Sequence, residues 1–307
     1  MTTTLTDIPA APKSLKISDK RAQRRKFQNS LASIALSSAM VVACIPLILI
    51  LFVVIQRGIA AFNLDLFIYE QRTFRATEEA GFAHGFVGTA LIMALAIPMA
   101  VLVGISTAVY LVEYGRGTKL ATAVRFVTDV MTGVPSIFVG LVVYAVVVRG
   151  TGLGLGFGTL AGAIAIALVM LPIVVRSCEE MLKLVPDSIR NASAGLGSRK
   201  WQTTTRVVLP ASAPGLATGS MLAVARGAGE TAPLLLTALG SLFTVTELVG
   251  RAQASLPQLI YQHARQPFPP GLERAWGGAL ALVIITLLFT ILARTLGTKY
   301  NKIRAGM

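Results

Sequence analysis

Histidine and cysteine are nearly absent, with two of each in 307 residues. Cys44 and Cys178 fall in separate apolar runs without metal-type spacing, which excludes a disulfide framework and a zinc site. Charge is scarce as well: 14% of residues, against about 25% in an ordinary soluble domain. No G-x-x-x-x-G-K-[S/T] occurs, and GRGTK at Gly115–Lys119 lacks the first glycine at the required distance. The chain therefore has no loop of its own to cradle ATP phosphates. The alternating glycines of RGTGLGLG, from Arg149 to Gly156, are not the dinucleotide fingerprint, and no strand precedes them; they read as a tight turn. A nucleophile–base pair or carboxylate cluster is also missing from the apolar runs, so a membrane enzyme is disfavoured. His84 and His263 read as isolated, solvated residues of outer loops, and Asp129 is expected to pair with Arg125 one turn earlier.

Apolar residues are abundant, at 54%. They gather in six runs, roughly 31–55, 86–111, 126–148, 157–175, 212–239 and 276–296. About 20 apolar residues cross a hydrocarbon core of about 30 Å as helix. An all-α polytopic membrane protein with six transmembrane helices is expected. The first run, of about 25 residues, exceeds a signal-peptide core of about 7–15, so it reads as an uncleaved span over 31–56. A mobile basic tail is expected over 1–30, a second tail over 297–307, and the main domain over 85–296.

The net charge of +14 is distributed by topology. With both termini inside, the four cytoplasmic segments hold 20 of the 28 Lys and Arg, the outer loops seven, and Arg226 lies in a span. This is the positive-inside pattern. The charge faces anionic lipid of the bilayer, and nucleic acid is not the implied partner. Pro46, Pro98, Pro135, Pro172 and Pro233 all fall within the runs, and they read equally as ordinary membrane-helix composition or as bends used in gating. Gly104, Ser106 and Ala108, with Gly215, Ala217 and Gly219, predict close helix approach. SLPQLIYQHARQPFPP, from Ser255, reads as an amphipathic piece able to lie at the interface.

Between two apolar runs stands a polar, ordered stretch, NASAGLGSRKWQTTTRVVLP, from Asn191 to Pro210. Asp187 or Ser188 is placed to cap a short helix after Pro186, and Gly197 permits the turn that ends it. Lys200, Trp201 and Arg206 then meet the membrane surface, and Pro210 is expected to break the chain before the next span. The other unusual feature is Arg226 with Glu230 four residues later, near the centre of the fifth run. Charges at that depth usually line a pathway, and a guanidinium suits oxyanions. Spacing alone slightly favours a self-neutralising buried pair.

Asn191-Ala192-Ser193, three residues, Gly197, nine residues, Val207, one residue and Leu209-Pro210 match the spacing of the EAA loop of ABC-importer permeases. Asn191 replaces the family's acidic residue, and Ser193 its second alanine. RGAGETAPLLLTALG resembles the R-A-x-G-E-T-A-P-L-L segment of PstA-type phosphate permeases, and GVPSIFVGL (Gly133–Leu141) their G-V-P-S-I-V-x-G-L segment. YLVEY (Tyr110–Tyr114), SLPQLIY (Ser255–Tyr261) and AWGGAL (Ala275–Leu280) fit the same family. Sulfate and molybdate permeases share the EAA loop but tend to lack G-E-T-A-P, and PstC-type permeases share only its G-E-T part.

The resemblance implies a type I ABC-importer permease fold in the plasma membrane, importing inorganic phosphate. It implies a heterodimer with a PstC-like permease, a PstB-like ATPase dimer that binds ATP and Mg, and an external phosphate-binding protein. No cofactor is implied for this chain itself. The implied substrate-path residues are Arg226, Glu230 and Thr231; the implied ATPase-coupling residues are Asn191, Ala192, Ser193, Gly197, Leu209 and Pro210, within a loop over 176–211. The alternatives are a permease for sulfate or molybdate, and a phosphate-status sensor or scaffold without net transport.

Overall fold

A computed structural model describes residues 19–71, 73–150 and 152–305. The chain divides into two units, residues 1–53 and 54–307. The described part of the first unit is helix α1 (Asp19–Gly58) up to Val53. Its side chains from Gln23 to Phe52 are exposed, and beyond Leu31 they are largely apolar all round, as suits a helix in hydrocarbon. Residues 19–30, expected as mobile tail, are therefore helical, while residues 1–18 lie outside the described residues.

The second unit opens with a 3-10 turn (Ile59–Ala61), short α2 (Asp65–Ile68) and α3 (Ala83–Val109), which ends in a π-helical turn, Tyr110–Tyr114. Helices α4 (Lys119–Gly133) and α5 (Ser136–Val143) follow, then a second π turn, Tyr144–Val148, and α6 (Thr159–Lys183). On the cytoplasmic side of the sequence reading lie α7 (Asp187–Gly195) and α8 (Lys200–Thr203), joined by a third π turn, Thr204–Val208, to α9 (Leu209–Ala228). The chain closes with α10 (Ala232–Thr237), α11 (Leu256–Ala264) and α12 (Pro269–Ala305). Five helices are long and apolar enough to cross a membrane, and six spans result if the bent pair α4–α5 counts as one.

Helix α6 is the axis of this unit. On α3, the residues Ile92, Ala96, Ala100, Gly104 and Ala108 recur every four positions and are buried. This ridge of small residues faces Ala163, Met170 and Val174 of α6 in one core. A β-carbon on Gly104 would lie 2.6 Å from Val174 Cγ1, and one on Gly219 of α9 would lie 2.6 Å from Ser177 Cβ. Lipid tails are as apolar as the helices, so van der Waals contact at close approach, rather than expulsion from water, holds the bundle together. The small residues flagged in the sequence serve this contact.

Toward the end that carries α7, α4 is tied to α6 through Glu179, whose side chain is fully buried. Its carboxylate meets Arg125 Nε at 2.7 Å, Lys183 Nζ at 3.1 Å and Arg176 Nη1 at 3.9 Å. A buried carboxylate is tolerated only when paired in this way. Arg125 is thus engaged across the helix interface, and Asp129 pairs with Arg176 instead of with Arg125. The i,i+4 expectation fails because α4 turns Arg125 toward α6, where the more deeply buried acid waits.

The opposite end, where α11 lies, is more densely packed than the sequence indicated. Leu66, Phe82, Leu256, Leu259 and Ala281 form a core there, so α11 is buried against α3 and α12 and does not lie at an interface. His84 and His263 are both fully buried, which corrects the solvated reading. The edges of Phe74 and Phe82 meet the His263 ring at 4.7 Å centroid separation. Arg274 holds the loop over them by donating to the carbonyls of Thr73, at 2.8 Å, and Ala76.

Candidate translocation path and coupling loop

The run expected as the third span is broken. Proline disfavours the helical conformation in the residue before it and lacks an N–H. Val134 and Pro135 are accordingly extended (φ −75°, ψ 127° and φ −57°, ψ 134°). The chain bends by 108° between α4 and α5. The fifth run is also divided. Helix α9 ends at Ala228, where Gly229 N–H donates to Arg226 O (3.1 Å) and Glu230 N–H to Gly227 O (3.2 Å). Helix α10 then starts with Pro233 in its first turn, a position proline tolerates. Arg226 therefore occupies the last turn of α9 and not the middle of a span.

These two irregular places meet. A β-carbon on Gly140 of α5 would lie 2.6 Å from Pro233 Cα, so the segments Gly133–Leu141 and Gly229–Pro233 are packed backbone to backbone. Beside them opens a cavity of about 180 Å³, lined in part by Thr132, Val134, Ser136, Pro172 and Arg226. Arg226 Nε stands 3.5 Å from Glu230 Oε1; its side chain is 64% exposed, and that of Glu230 15%. One edge of the guanidinium is thus occupied, and the remaining donors are available to an oxyanion. Thr132 Oγ1 donates to Asp129 O at 2.6 Å, whereas the Ser136 hydroxyl has no partner among the described residues. Thr231 precedes α10 as its N-cap, half-buried, and is not among the residues lining the cavity. Thr132 and Ser136 were missed by sequence reasoning; their signal lay in the GVPS segment, whose Pro135 reads as readily as a simple kink.

The polar loop between α6 and α9 is ordered by its own hydrogen bonds. Gly197 adopts φ +82°. Its N–H donates to Ala194 O (2.9 Å), and Ser198 N–H donates to Ser193 O (3.2 Å). This pair of bonds is the Schellman termination, which needs a left-handed residue after the helix. Asn191, Ala192 and Gly197 are exposed, and Leu196 is 88% exposed. Ser193 is buried, its hydroxyl 2.9 Å from that of Thr203, so the residue replacing the family alanine stitches α7 to α8. Pro186 is the N-cap, without a side-chain cap. Asp187 instead accepts from Arg116 at 3.2 Å, which holds its carboxyl below the usual range. Leu209 and Pro210 begin α9 but do not break the chain. The helical path runs from Lys200 to Ala228, because the widened turn at Thr204–Val208 relieves the clash that proline makes with a preceding carbonyl.

A family model described as binding-protein-dependent transport system inner membrane component matches residues 96–302. The chain is 41% identical over 280 residues to a phosphate transport system permease protein PstA of Yersinia pestis, covering 91% of this chain and 93% of the relative. It is 40% identical over 272 residues to PstA 1 of Mycobacterium tuberculosis (strain ATCC 25618 / H37Rv), covering 88% and 87%. Among solved structures, a chain of a bacterial alginate ABC transporter in complex with its alginate pentasaccharide-bound periplasmic protein superimposes with a TM-score of 0.60 at 13% identity, covering 91% of this chain and 98% of that one. A chain of the inward-facing MetNI methionine ABC transporter gives 0.54 at 17%, covering 71% and 93%. At such identities the likeness is one of fold, that of type I ABC-importer permeases. The chain belongs to the binding-protein-dependent transport system inner membrane components, and within them to the PstA-type permeases, which are transport subunits and not enzymes.

Proposed function

We propose that this chain forms half of the membrane path of an ATP-driven importer of inorganic phosphate. The observation that carries the reading is the Arg226 guanidinium, half-satisfied by Glu230, opening on a cavity where two broken helices meet. Phosphate matches a planar guanidinium in two hydrogen bonds, and Ser136 adds a hydroxyl on the same cavity. Glu230 limits the grip on the anion, so that it leaves again. Thr231 borders the path at the start of α10. The names of the relatives support phosphate as the anion.

The second permease of the path is a PstC-like chain. A PstB-like ATPase dimer, which binds ATP and Mg, docks on α7, with Asn191, Ala192 and Leu196 as the exposed contact. Gly197, Ser193, Leu209 and Pro210 hold that surface in shape. An external phosphate-binding protein delivers the substrate, and both termini lie in the cytoplasm, as the distribution of Lys and Arg supports.

The test is radiolabelled phosphate uptake, with excess sulfate present, in cells lacking this chain and complemented with wild type or Arg226→Gln. Wild type alone should restore uptake. Restoration by both would return Arg226 to a structural role, and restoration by neither would discard phosphate in favour of another oxyanion.

A further inference from the structure

The coupling loop is covalently continuous with α6 before it and α9 after it. Helix α3 has no such link, yet the last turn of α3 grips the loop at three points. Arg190 of α7 donates to Glu113 Oε1 from Nε (3.0 Å) and Nη2 (2.8 Å). Arg116 Nη2 donates to Asp187 Oδ1 at 3.2 Å. Lys200 Nζ stands 5.1 Å from the Tyr114 ring centre, beyond the far end of α7.

Arg190 is saturated. Besides the two bonds to Glu113, Nη2 donates to Leu182 O (3.0 Å), and Nη1 donates to Val185 O and to Asp187 Oδ1 (3.2 Å). A guanidinium has five N–H donors in a fixed plane, and here each has an acceptor. The acceptors belong to the end of α6, to the linker, to α7 itself and to α3. One side chain only 11% exposed thereby makes the coupling helix and the ends of two spans a single body; the Glu113 side chain is 6% exposed. A buried ion pair adds little net stability over an apolar pair of the same shape, so stability alone gives no reason for this arrangement.

Glu113 sits in the π turn Tyr110–Tyr114, which Gly115 N–H closes onto Tyr110 O at 2.6 Å. Leu111, Val112 and Glu113 are consecutive and all buried. Single π turns mark places where a helix changes register, frequently at functional sites.

We infer that Glu113, gripped by Arg190, is the positioning residue through which a displacement of α7 reaches α3, and that the π turn in which it sits is where α3 yields. This rests on the reading that α7 docks an ATPase. It assigns to YLVEYGR a role in coupling ATP hydrolysis to transport.

The experiment uses the whole transporter, purified with its ATPase and reconstituted. ATP hydrolysis is measured with and without phosphate-loaded binding protein, beside phosphate uptake. Glu113→Ala and Arg190→Lys should retain the ATPase in the complex and keep basal hydrolysis. Stimulation by the binding protein should fall about tenfold, the size of a typical coupling energy. Lysine, with fewer donors and no plane, cannot replace the hub. The exchange Glu113→Arg with Arg190→Glu should recover part of the stimulation. Wild-type stimulation in the single variants would overturn the inference. If Glu113→Ala does not assemble, the exposed contacts decide: Arg116→Ala and Tyr114→Leu should lower stimulation severalfold without changing basal hydrolysis, and unchanged stimulation in both would overturn it. Leu196→Asp separates the underlying reading. Full retention of the ATPase by that variant would remove docking at α7, whatever the Glu113 variants do.

Discussion

Gly140 of α5 lies so close beneath Pro233 of α10 that a β-carbon on the glycine would sit 2.6 Å from the proline Cα and 3.0 Å from its carbonyl oxygen. Backbone cannot move aside as a flexible side chain does. Gly140→Val should therefore push α5 off α10 and displace Ser136 from Arg226, at an overpacking cost of about 1–3 kcal/mol. The expected result is a lowered thermal midpoint of the purified transporter together with lost phosphate uptake. Normal uptake would mean that the two segments need not touch for transport.

The Arg226–Glu230 pair predicts opposite effects on capture and release. The pair is separated by 3.5 Å, and Arg226 is largely exposed, so the carboxylate moderates the guanidinium by about 1 kcal/mol at most. Glu230→Gln keeps the shape and removes the charge. The apparent KM for phosphate uptake should fall severalfold, and the maximal rate should fall with it as release slows. A KM that rises would show that Glu230 positions Arg226 and does not temper it.

Gly197 is the residue of the proposed coupling loop whose backbone leaves least choice. At φ +82° it stands where proline, fixed near −65°, cannot go, and its N–H is used by Ala194 O. Gly197→Pro should unwind the end of α7 and abolish uptake while the chain still inserts in the membrane. Gly197→Asn, which tolerates the left-handed region, should retain most activity. Equal uptake by the proline variant and wild type would sink the coupling role of this helix.

The apolar runs and the helix-ending Gly197 were legible in the sequence because each follows from local physics: helix length against bilayer thickness, and left-handed φ against a β-carbon. The break at Pro135 was not, since a proline in an apolar run reads equally as a tolerated kink. The end of α9 at Ala228 was hidden for a similar reason, the run staying apolar across the gap before α10. Asp129 found Arg176, and Arg125 found Glu179, because tertiary partners outbid the neighbour one turn away. Glu113 and Arg190 lie too far apart in sequence for any local pattern to join them. The histidines misled because both were read as loop residues, whereas His84 lies on α3 and His263 on α11, where they are buried.

That burial has a consequence for acid stability. His263 is fully buried between Phe74 and Phe82. Loss of hydration, and then the neighbouring Arg274 charge, push its pKa down from 6.5 to about 4. An unfolded chain binds a proton on this ring below about pH 6.5, while the folded chain stays neutral until about pH 4. Between those values the unfolded state holds more protons, so stability falls as pH falls. From pH 7 to 5 the loss approaches about 2 kcal/mol for one such histidine, or about 3 °C in the thermal midpoint of a chain this size. His263→Gln keeps a polar side chain of similar reach and cannot take up the proton. Its midpoint should therefore drop less than that of wild type between pH 7 and 5, measured by thermal denaturation in detergent. Parallel acid shifts in both proteins would mean that water reaches the ring, and that the outer loop opens in solution.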